Sequence, residues 1–411
     1  MQSDGAGHGR VFHVLTESEP FSDHNGGAIS RWVANVLRTD MAGIVLAPSA
    51  DTSWAFPAGR LRCVPGLSRY ARHSALAGRL MRWPMRCFLL RKALRPALDD
   101  LRPGDTVWIH NRPECAAALE SLVHARGARI ILHMHNSHLL HWPGHRVYAI
   151  GADAYVFVSR FLMQQAQERF PALGCCAVLH NGADRSIFYP RRDAGAPSCP
   201  PVVLFAGRLV PDKGVHVFVA AMRLVQGRGV ALAGIVLGGA GFGASKPTKY
   251  VRELEQNAPG NVTFQPYCSG PSLGATFRAA DMACVPSCWQ DPMPLVVLEA
   301  MASGLPVVGS RSGGIPEMLA EGGGMLVDRG SAAQLADALE MLANNVGLRR
   351  EMGQEAYSIF QTSFTWDVVR ENYRRILDAV RDGNAVAIGV REAVTRPANV
   401  EVECTTFPRS A

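Results

Sequence analysis

The chain has 411 residues, too many for one ordinary core, so two domains are expected. Its composition, 48% hydrophobic and 19% charged without a low-complexity block, fits a soluble globular enzyme and excludes the disordered and fibrous classes. The net charge of +7 is modest, no run of about 18 apolar residues offers a membrane span, and the opening MQSDGAGHGR holds no apolar signal segment, so a cytoplasmic chain is expected.

Strand-like and helix-like runs alternate from the start. VFHVL reads as a strand, and HNGGAIS (residues 24–30) leads into the helix-like AISRWVANVLR. The adjacent Gly26 and Gly27 let backbone approach a ligand closely, a signal that turns also produce. A basic segment follows. Between Arg60 and Arg102 there are eleven basic residues against two acids, Asp99 and Asp100. At about 100° per residue Arg72, Arg79, Arg82 and Arg86 share a helical face, which Pro84 is predicted to kink. A solvated basic face and an anionic membrane surface, or a lipid-linked acceptor, docking on Arg69–Arg95 are the two leading readings. Nucleic acid ranks last because no nucleic-acid motif accompanies the charge.

DTVWIHN, RIILHMH and DAYVFVS are near-continuous apolar strands, separated by the helix-like PECAAALESLVHARG. RFLMQQAQERF is a further helix, stopping before Pro171. Five histidines cluster at 133, 135, 138, 141 and 145. His133 and His135, two apart on a strand, share one face. A metal site is the minority reading, because no acid lies in the cluster and no helix carries ligands at i, i+4. The ten cysteines form no C-x-x-C pair and read as small buried apolar side chains.

YPRRDAGAPSCPP, residues 189–201, holds four prolines without periodicity and reads as a linker. The alternation then restarts with VVLFAGR, ALAGIVLGG, VTFQPY, ADMACVPS and GLPVVGS. The fold class expected is α/β, two doubly wound domains facing a central cleft. In LFAGRLVPDKG, Arg208 and Lys213 follow a strand end, where two fixed cations could hold a diphosphate. In WQDPMPLVVLEAMASGLPVV, Asp291 sits before Pro292 in a loop, and Pro294 suits the first position of a helix that ends before Gly304. The amides of Leu295 and Val296 then offer a phosphate site. Glu299, one turn on, lies among apolar neighbours and could accept hydrogen bonds from a pair of sugar hydroxyls. WDVVRENYRRILDAV places Trp366, Val369, Tyr373, Ile376 and Val380 on one stripe of a packed amphipathic helix.

With these motifs in order, residues 11 to 380 resemble the retaining glycosyltransferases of family 4, which have the GT-B fold. AGRLVPDKG looks like the family's G-R-x-x-x-x-K-G element. DPMPLVVLEAMASGLPVVGSRSGGIPE looks like its E-x7-E region and following Gly-rich segment, and LHNGADRSIFYP is similar to its entry into the linker. The resemblance implies donor-diphosphate binding by Arg208 and Lys213, ribose binding by Glu299, contact of Asp291 with the transferred sugar, and a donor-sugar contact for His135. It places Gly26 and Gly27 near the phosphates. The first acid of the pair is Asp rather than Glu, and Pro294 stands where the family often has Gly.

The domains expected are 1–190 on the acceptor side and 191–365 for the nucleotide sugar, with a helix over 366–382 near the interdomain region and a poorly ordered tail over 383–411. The function implied is transfer of a hexose from a UDP- or GDP-sugar to a saccharide or lipid-linked hydroxyl, in polysaccharide or glycolipid biosynthesis, with no metal or other cofactor and at most peripheral contact with the membrane. A sugar-nucleotide epimerase and a non-catalytic sugar-nucleotide-binding protein are the alternatives, and a histidine-based metal hydrolase is a more distant one.

Overall fold

The computed structural model describes residues 9–22, 27–38, 43–51, 54, 59–77, 83–147, 150–191, 199–241 and 246–383. They divide into two compact units, one drawn from Met1–Leu179 and Arg370–Ala411, the other from His180–Val369.

The first unit is built on a seven-stranded sheet. In chain order its strands are β1 (Val11–Val14), β2 (Gly43–Ala47), β3 (Leu61–Cys63), β4 (Thr106–His110), β5 (Arg129–Met134), β6 (Ala154–Phe157) and β7 (Cys176–Val178). They lie in the order β3-β2-β1-β4-β5-β6-β7, and every pairing is parallel. β1 and β4 are buried along their whole length, as the continuous apolar runs require when helices cover both faces. Trp108, Phe12 and Phe157 are fully buried there, and each such side chain contributes about 1.5–3 kcal/mol. The strand order reverses between β1 and β4. In open parallel sheets of this kind, ligands bind at that reversal, outside the carboxyl ends of the strands.

The second unit repeats the plan with six strands, β8 (Val202–Ala206), β9 (Ala233–Leu237), β10 (Val262–Gln265), β11 (Met282–Val285), β12 (Val307–Ser310) and β13 (Gly324–Val327). Their order is β10-β9-β8-β11-β12-β13, again all parallel, with the reversal between β8 and β11. Val203, Phe218, Met222, Met282, Val308 and Leu339 belong to its core cluster.

The structure moves two boundaries. The proline-rich stretch does not begin the second unit, which starts at His180. Residues 180–190 are tied there by contacts far along the chain. Ala183 bridges Thr365, His180 Nε2 lies 3.0 Å from Glu317 Oε1, and a Cβ on Gly274 would stand 2.2 Å from the Ile187 carbonyl oxygen. The Trp366–Arg381 helix is not a separate appendage either. Its first residues belong to the second unit, and from Arg370 it belongs to the first, where Tyr373, Ile376 and Val380 are buried. Of the tail expected over 383–411, residues 384–411 lie outside the described residues.

The basic segment also differs from expectation. Instead of one kinked helix there are two, Pro65–Ala77 and Trp83–Leu94. Pro84 sits in the first turn of the second, where a missing N–H breaks no helical bond. Arg79 and Arg82 lie outside the described residues, and Arg86 turns its Nε into the protein. The outward side chains are instead Met85 and Phe88, 52% and 61% exposed, followed by exposed Arg91, Lys92 and Arg95. No described helix is long and apolar enough to cross a membrane.

Candidate active site

In the second unit three loops leave the carboxyl ends of β8, β11 and β12, which are neighbours in the sheet. The loop after β8 closes with Pro211–Lys213 in a short 3-10 turn and Gly214 in the left-handed region, φ 73°. Gly214 faces the Pro286 carbonyl oxygen so closely that a Cβ would stand 1.9 Å from it, so only glycine fits. The Asp212 carbonyl accepts from the amides of Cys288 and Trp289 at 2.9 and 3.1 Å, fastening the β8 loop to the β11 loop. From the other side Ser310 Oγ donates to the Ser287 carbonyl (2.8 Å), Ser312 Oγ to the Trp289 carbonyl (2.7 Å), and the Gly314 amide to the Asp291 carbonyl (2.8 Å).

This bracing brings Lys213 and Asp291 together. The Lys213 ammonium forms an ion pair with the Asp291 carboxylate, which is 8% exposed. Arg208 lies exposed in the same loop as Lys213. Pro294 is the N-cap of the Leu295–Ala302 helix rather than its first residue, and its own side chain makes no capping hydrogen bond. The amides of Leu295 and Val296 therefore open the helix, as the sequence suggested, with Glu299 half-buried one turn on. The helix ends with Gly304 in the left-handed conformation, φ 70°, just past the C-cap.

In the first unit the corresponding strand ends carry histidines. β1 holds His13, β4 holds His110, β5 holds His133, and His135 follows Met134. His110 pairs with His133 and His13 with Trp108 in the strand register, so all of these side chains lie on one face. The ring of Trp32, from the Ala28–Val36 helix, packs edge-on against His133 with centroids 4.9 Å apart, and that of Tyr373 stacks on His13 at 5.7 Å. Burial holds the imidazoles uncharged: it lowers His13 and His135 to about 3, and pushes His110 and His133 well below the ordinary value. Asn111, φ 55°, is a left-handed residue other than glycine, at the end of β4. Its Oδ1 accepts from the His135 amide at 2.6 Å, and its own amide donates to the His133 carbonyl at 2.8 Å, so a strained residue fixes the backbone at His135.

Sequence reading found His133 and His135 but missed His13, His110 and Asn111. Their signal was present: VFHVL carries a histidine inside its strand and VWIHN ends a strand with one, and the sheet order makes those strands neighbours. One nitrogen from each of His110, His133 and His135 lies within 4.8 Å of the others, a donor set that a transition ion such as zinc uses. His110 Nδ1 and His135 Nε2, however, are 3.0 Å apart and already bond each other.

Of the glycine pair the structure describes one member. Gly26 lies outside the described residues. Gly27 is the N-cap of the Ala28–Val36 helix, and the amides there serve the chain's own Glu19 carboxylate: the Ser30 amide donates to Glu19 Oε1 at 2.9 Å, with Gly27 and Ile29 also donating. A Cβ on Gly27 would stand 2.7 Å from Glu19 Oε1. The close approach that the glycine permits is to a side chain of the protein.

Residues 190–359, which lie within the second unit, match the family model described as glycosyl transferases group 1. Among curated relatives, the D-inositol 3-phosphate glycosyltransferase of Corynebacterium glutamicum (strain R) is 36% identical over 189 residues, 45% of each chain. That of Mycobacterium tuberculosis (strain F11) is 34% identical over 213 residues, 49% of this chain and 44% of the relative. The chain thus spans less than half the length of these relatives. Solved structures match nearly the whole chain. Sucrose-phosphate synthase from Thermosynechococcus elongatus has a TM-score of 0.66 at 19% identity, covering 90% of this chain and 100% of that one. HepE of Anabaena in complex with UDP-glucose has 0.64 at 17%, covering 90% and 100%. These likenesses establish the fold, which is GT-B, with two Rossmann-like α/β domains.

Proposed function

We propose that the chain is a retaining glycosyltransferase that moves a hexose from a nucleotide-diphosphate sugar to a hydroxyl of a saccharide or lipid-linked acceptor. The observation that carries this reading is the Lys213–Asp291 ion pair at the β8/β11 reversal, inside the segment that matches the glycosyl transferase family. Arg208, Lys213 and the amides of Leu295 and Val296 would bind the diphosphate, and Glu299 the ribose. Asp291 and His135 would contact the transferred sugar.

In the reaction the acceptor oxygen bonds to the anomeric carbon on the face from which the diphosphate departs. The bond from that carbon to the diphosphate oxygen breaks, and the acceptor proton passes to that oxygen. Charge building on the departing diphosphate is stabilised by Arg208 and Lys213. No separate general base is required. No metal takes part in this scheme.

A neighbour of the same fold is in complex with UDP-glucose, so UDP-sugars are the first donors to try, with GDP-sugars second. A thermal-shift series with UDP, GDP, ADP and their sugar conjugates tests the reading. One nucleotide should raise the melting temperature, and its sugar conjugate should give an acceptor-dependent glycosidic product of unchanged anomeric configuration. Nucleotide diphosphate released without an acceptor points to epimerisation, and binding without turnover to a non-catalytic protein. No shift with any nucleotide overturns all three.

We also propose contact with an anionic membrane surface from the cytoplasmic side, consistent with polysaccharide or glycolipid synthesis. Met85 and Phe88 would insert, with Arg91, Lys92 and Arg95 facing the headgroups. Neutralising those three cations should abolish sedimentation with phosphatidylserine vesicles at low salt. Unchanged sedimentation retires the idea.

A further inference from the structure

Buried His13 and His110 and half-buried His135 form a chain with a defined start. The Tyr373 hydroxyl lies 2.8 Å from His13 Nε2, His13 Nδ1 lies 3.1 Å from His110 Nε2, and His110 Nδ1 lies 3.0 Å from His135 Nε2. Each contact requires one proton between two atoms. A neutral imidazole carries one N–H and one lone pair, so fixing one ring fixes the next. Burial keeps the rings neutral. It also keeps the Tyr373 phenol protonated, far above the ordinary tyrosine value, against the opposing pull of Arg381.

Two arrangements satisfy all three contacts. In the first, Tyr373 donates to His13 Nε2, His13 Nδ1–H donates to His110 Nε2, and His110 Nδ1–H donates to His135 Nε2. His135 then carries its own proton on Nδ1. In the second, every proton runs the other way. His135 Nε2–H donates to His110, His110 to His13, and His13 to the phenol oxygen, and His135 Nδ1 is left as a lone pair. The second arrangement strands the phenol proton. Tyr373 is fully buried, and its hydroxyl is bonded to His13 alone among the described residues. Leaving a buried hydroxyl donor unsatisfied costs about 1–3 kcal/mol, a preference of roughly 5- to 150-fold for the first arrangement.

We infer that Tyr373, His13 and His110 are positioning residues that fix His135 as the Nδ1–H tautomer, so that the ring presents a hydrogen-bond donor, not an acceptor, at the carboxyl edge of the sheet. A role for that donor in sugar transfer rests on the function proposed above, whereas the tautomer does not. The metal reading of the same cluster is incompatible with the chain, because an ion held by His110 Nδ1 and His135 Nε2 would take the atoms that bond each other. His133 stands outside the chain. Both its nitrogens are buried with no hydrogen-bond partner among the described residues, and its ring lies against that of His135 with centroids 4.0 Å apart.

The test is a long-range proton–nitrogen correlation spectrum of the full chain labelled with 15N-histidine, with His135 assigned by loss of its signals in His135→Gln. His13, His110 and His135 should each show a protonated, pyrrole-type Nδ1 and an unprotonated, pyridine-type Nε2. Tyr373→Phe removes the donor that sets the direction, and His135 should lose its roughly 5- to 150-fold preference for Nδ1–H. A wild-type His135 protonated on Nε2 overturns the inference, as does a folded Tyr373→Phe variant with unmoved His135 signals. Where that variant does not fold, the wild-type spectrum alone decides. Zinc added to the wild-type protein should leave the three rings unmoved, and tight binding that shifts His110, His133 and His135 together overturns the chain in favour of a metal site. The spectrum needs no substrate, so a protein without transferase activity but with these tautomers refutes the proposed function and leaves this inference standing.

Discussion

Each unit opens a helix at the carboxyl edge of its sheet, and the two openings are used differently. In the first unit the amides at the start of the Ala28–Val36 helix are taken by Glu19, and the strand ends beside it carry uncharged imidazoles. In the second, the Pro294 N-cap of the Leu295–Ala302 helix offers no side-chain cap, and the neighbouring loops carry the Lys213–Asp291 ion pair. One layout thus gives an edge satisfied from within and an edge with charge to offer. A diphosphate needs the second kind, since cations and open amides compensate its charge. Sugar hydroxyls would suit the first kind, where neutral donors and acceptors are held in place.

The largest effect that sharpens this contrast comes from acid. An unfolded histidine titrates near 6.5, whereas His13 in the fold titrates at about 3. The unfolded chain therefore binds protons that the folded one refuses, and the stability present above pH 6.5 is lost as pH falls towards 3. His13 alone removes about 2 kcal/mol between pH 7.5 and pH 5, and His110, His133 and His135, shifted in the same direction, add to that loss. Urea unfolding at pH 7.5 and pH 5 measures it. A stability that stays level between those values would mean that the four rings are hydrated, and the neutral character of this edge would be wrong.

Lys213→Ala tests the other edge. It deletes a charge-assisted contact and leaves the buried Asp291 carboxylate without its partner. Turnover with the preferred nucleotide sugar should fall at least tenfold, corresponding to a loss of about 1.5–3 kcal/mol at the transition state, with the circular dichroism spectrum unchanged. Wild-type turnover in a folded variant would remove Lys213 from the site.

What the sequence made legible follows from how far apart the contributing residues lie. Near-continuous apolar runs such as TVWIH and RIILHM marked the central strands, because a parallel strand buried on both faces has no alternation to hide. That Lys213 and Asp291 lie in loops between strand and helix was readable from local spacing, although their direct pairing, across 78 residues, was not. The same limit hid the histidine chain. His133 and His135 are neighbours on one strand, but His13 meets His110 across 97 residues and Tyr373 across 360, contacts set by sheet order and register. The amphipathic stripe through Tyr373 foretold a packed helix without showing that a polar hydroxyl on it had a histidine partner. The unit boundary was misplaced for a related reason. Prolines between 189 and 201 are visible locally, whereas the bridge from Ala183 to Thr365 is not.

The smallest expected effect falls on Glu19, where two influences oppose. Burial raises its carboxyl above the ordinary value and outweighs the bonds from Ser30, Ile29 and Gly27, which act to lower it. The negative charge is therefore not what this position gains from, and Glu19→Gln, which keeps an acceptor without the charge, should alter stability by no more than about 0.5 kcal/mol at pH 7. Glu19→Ala removes the acceptor, leaves the helix start uncapped and should cost about 1 kcal/mol by urea unfolding. The decisive comparison adds pyrophosphate to each protein. Stabilisation of the wild type should come from the second unit, so Glu19→Ala should retain the same pyrophosphate-induced rise in melting temperature, while Lys213→Ala loses it. A rise larger in Glu19→Ala than in the wild type would mean that the first helix also accepts phosphate once its own carboxylate is gone. The two edges would then differ by a single side chain rather than in kind.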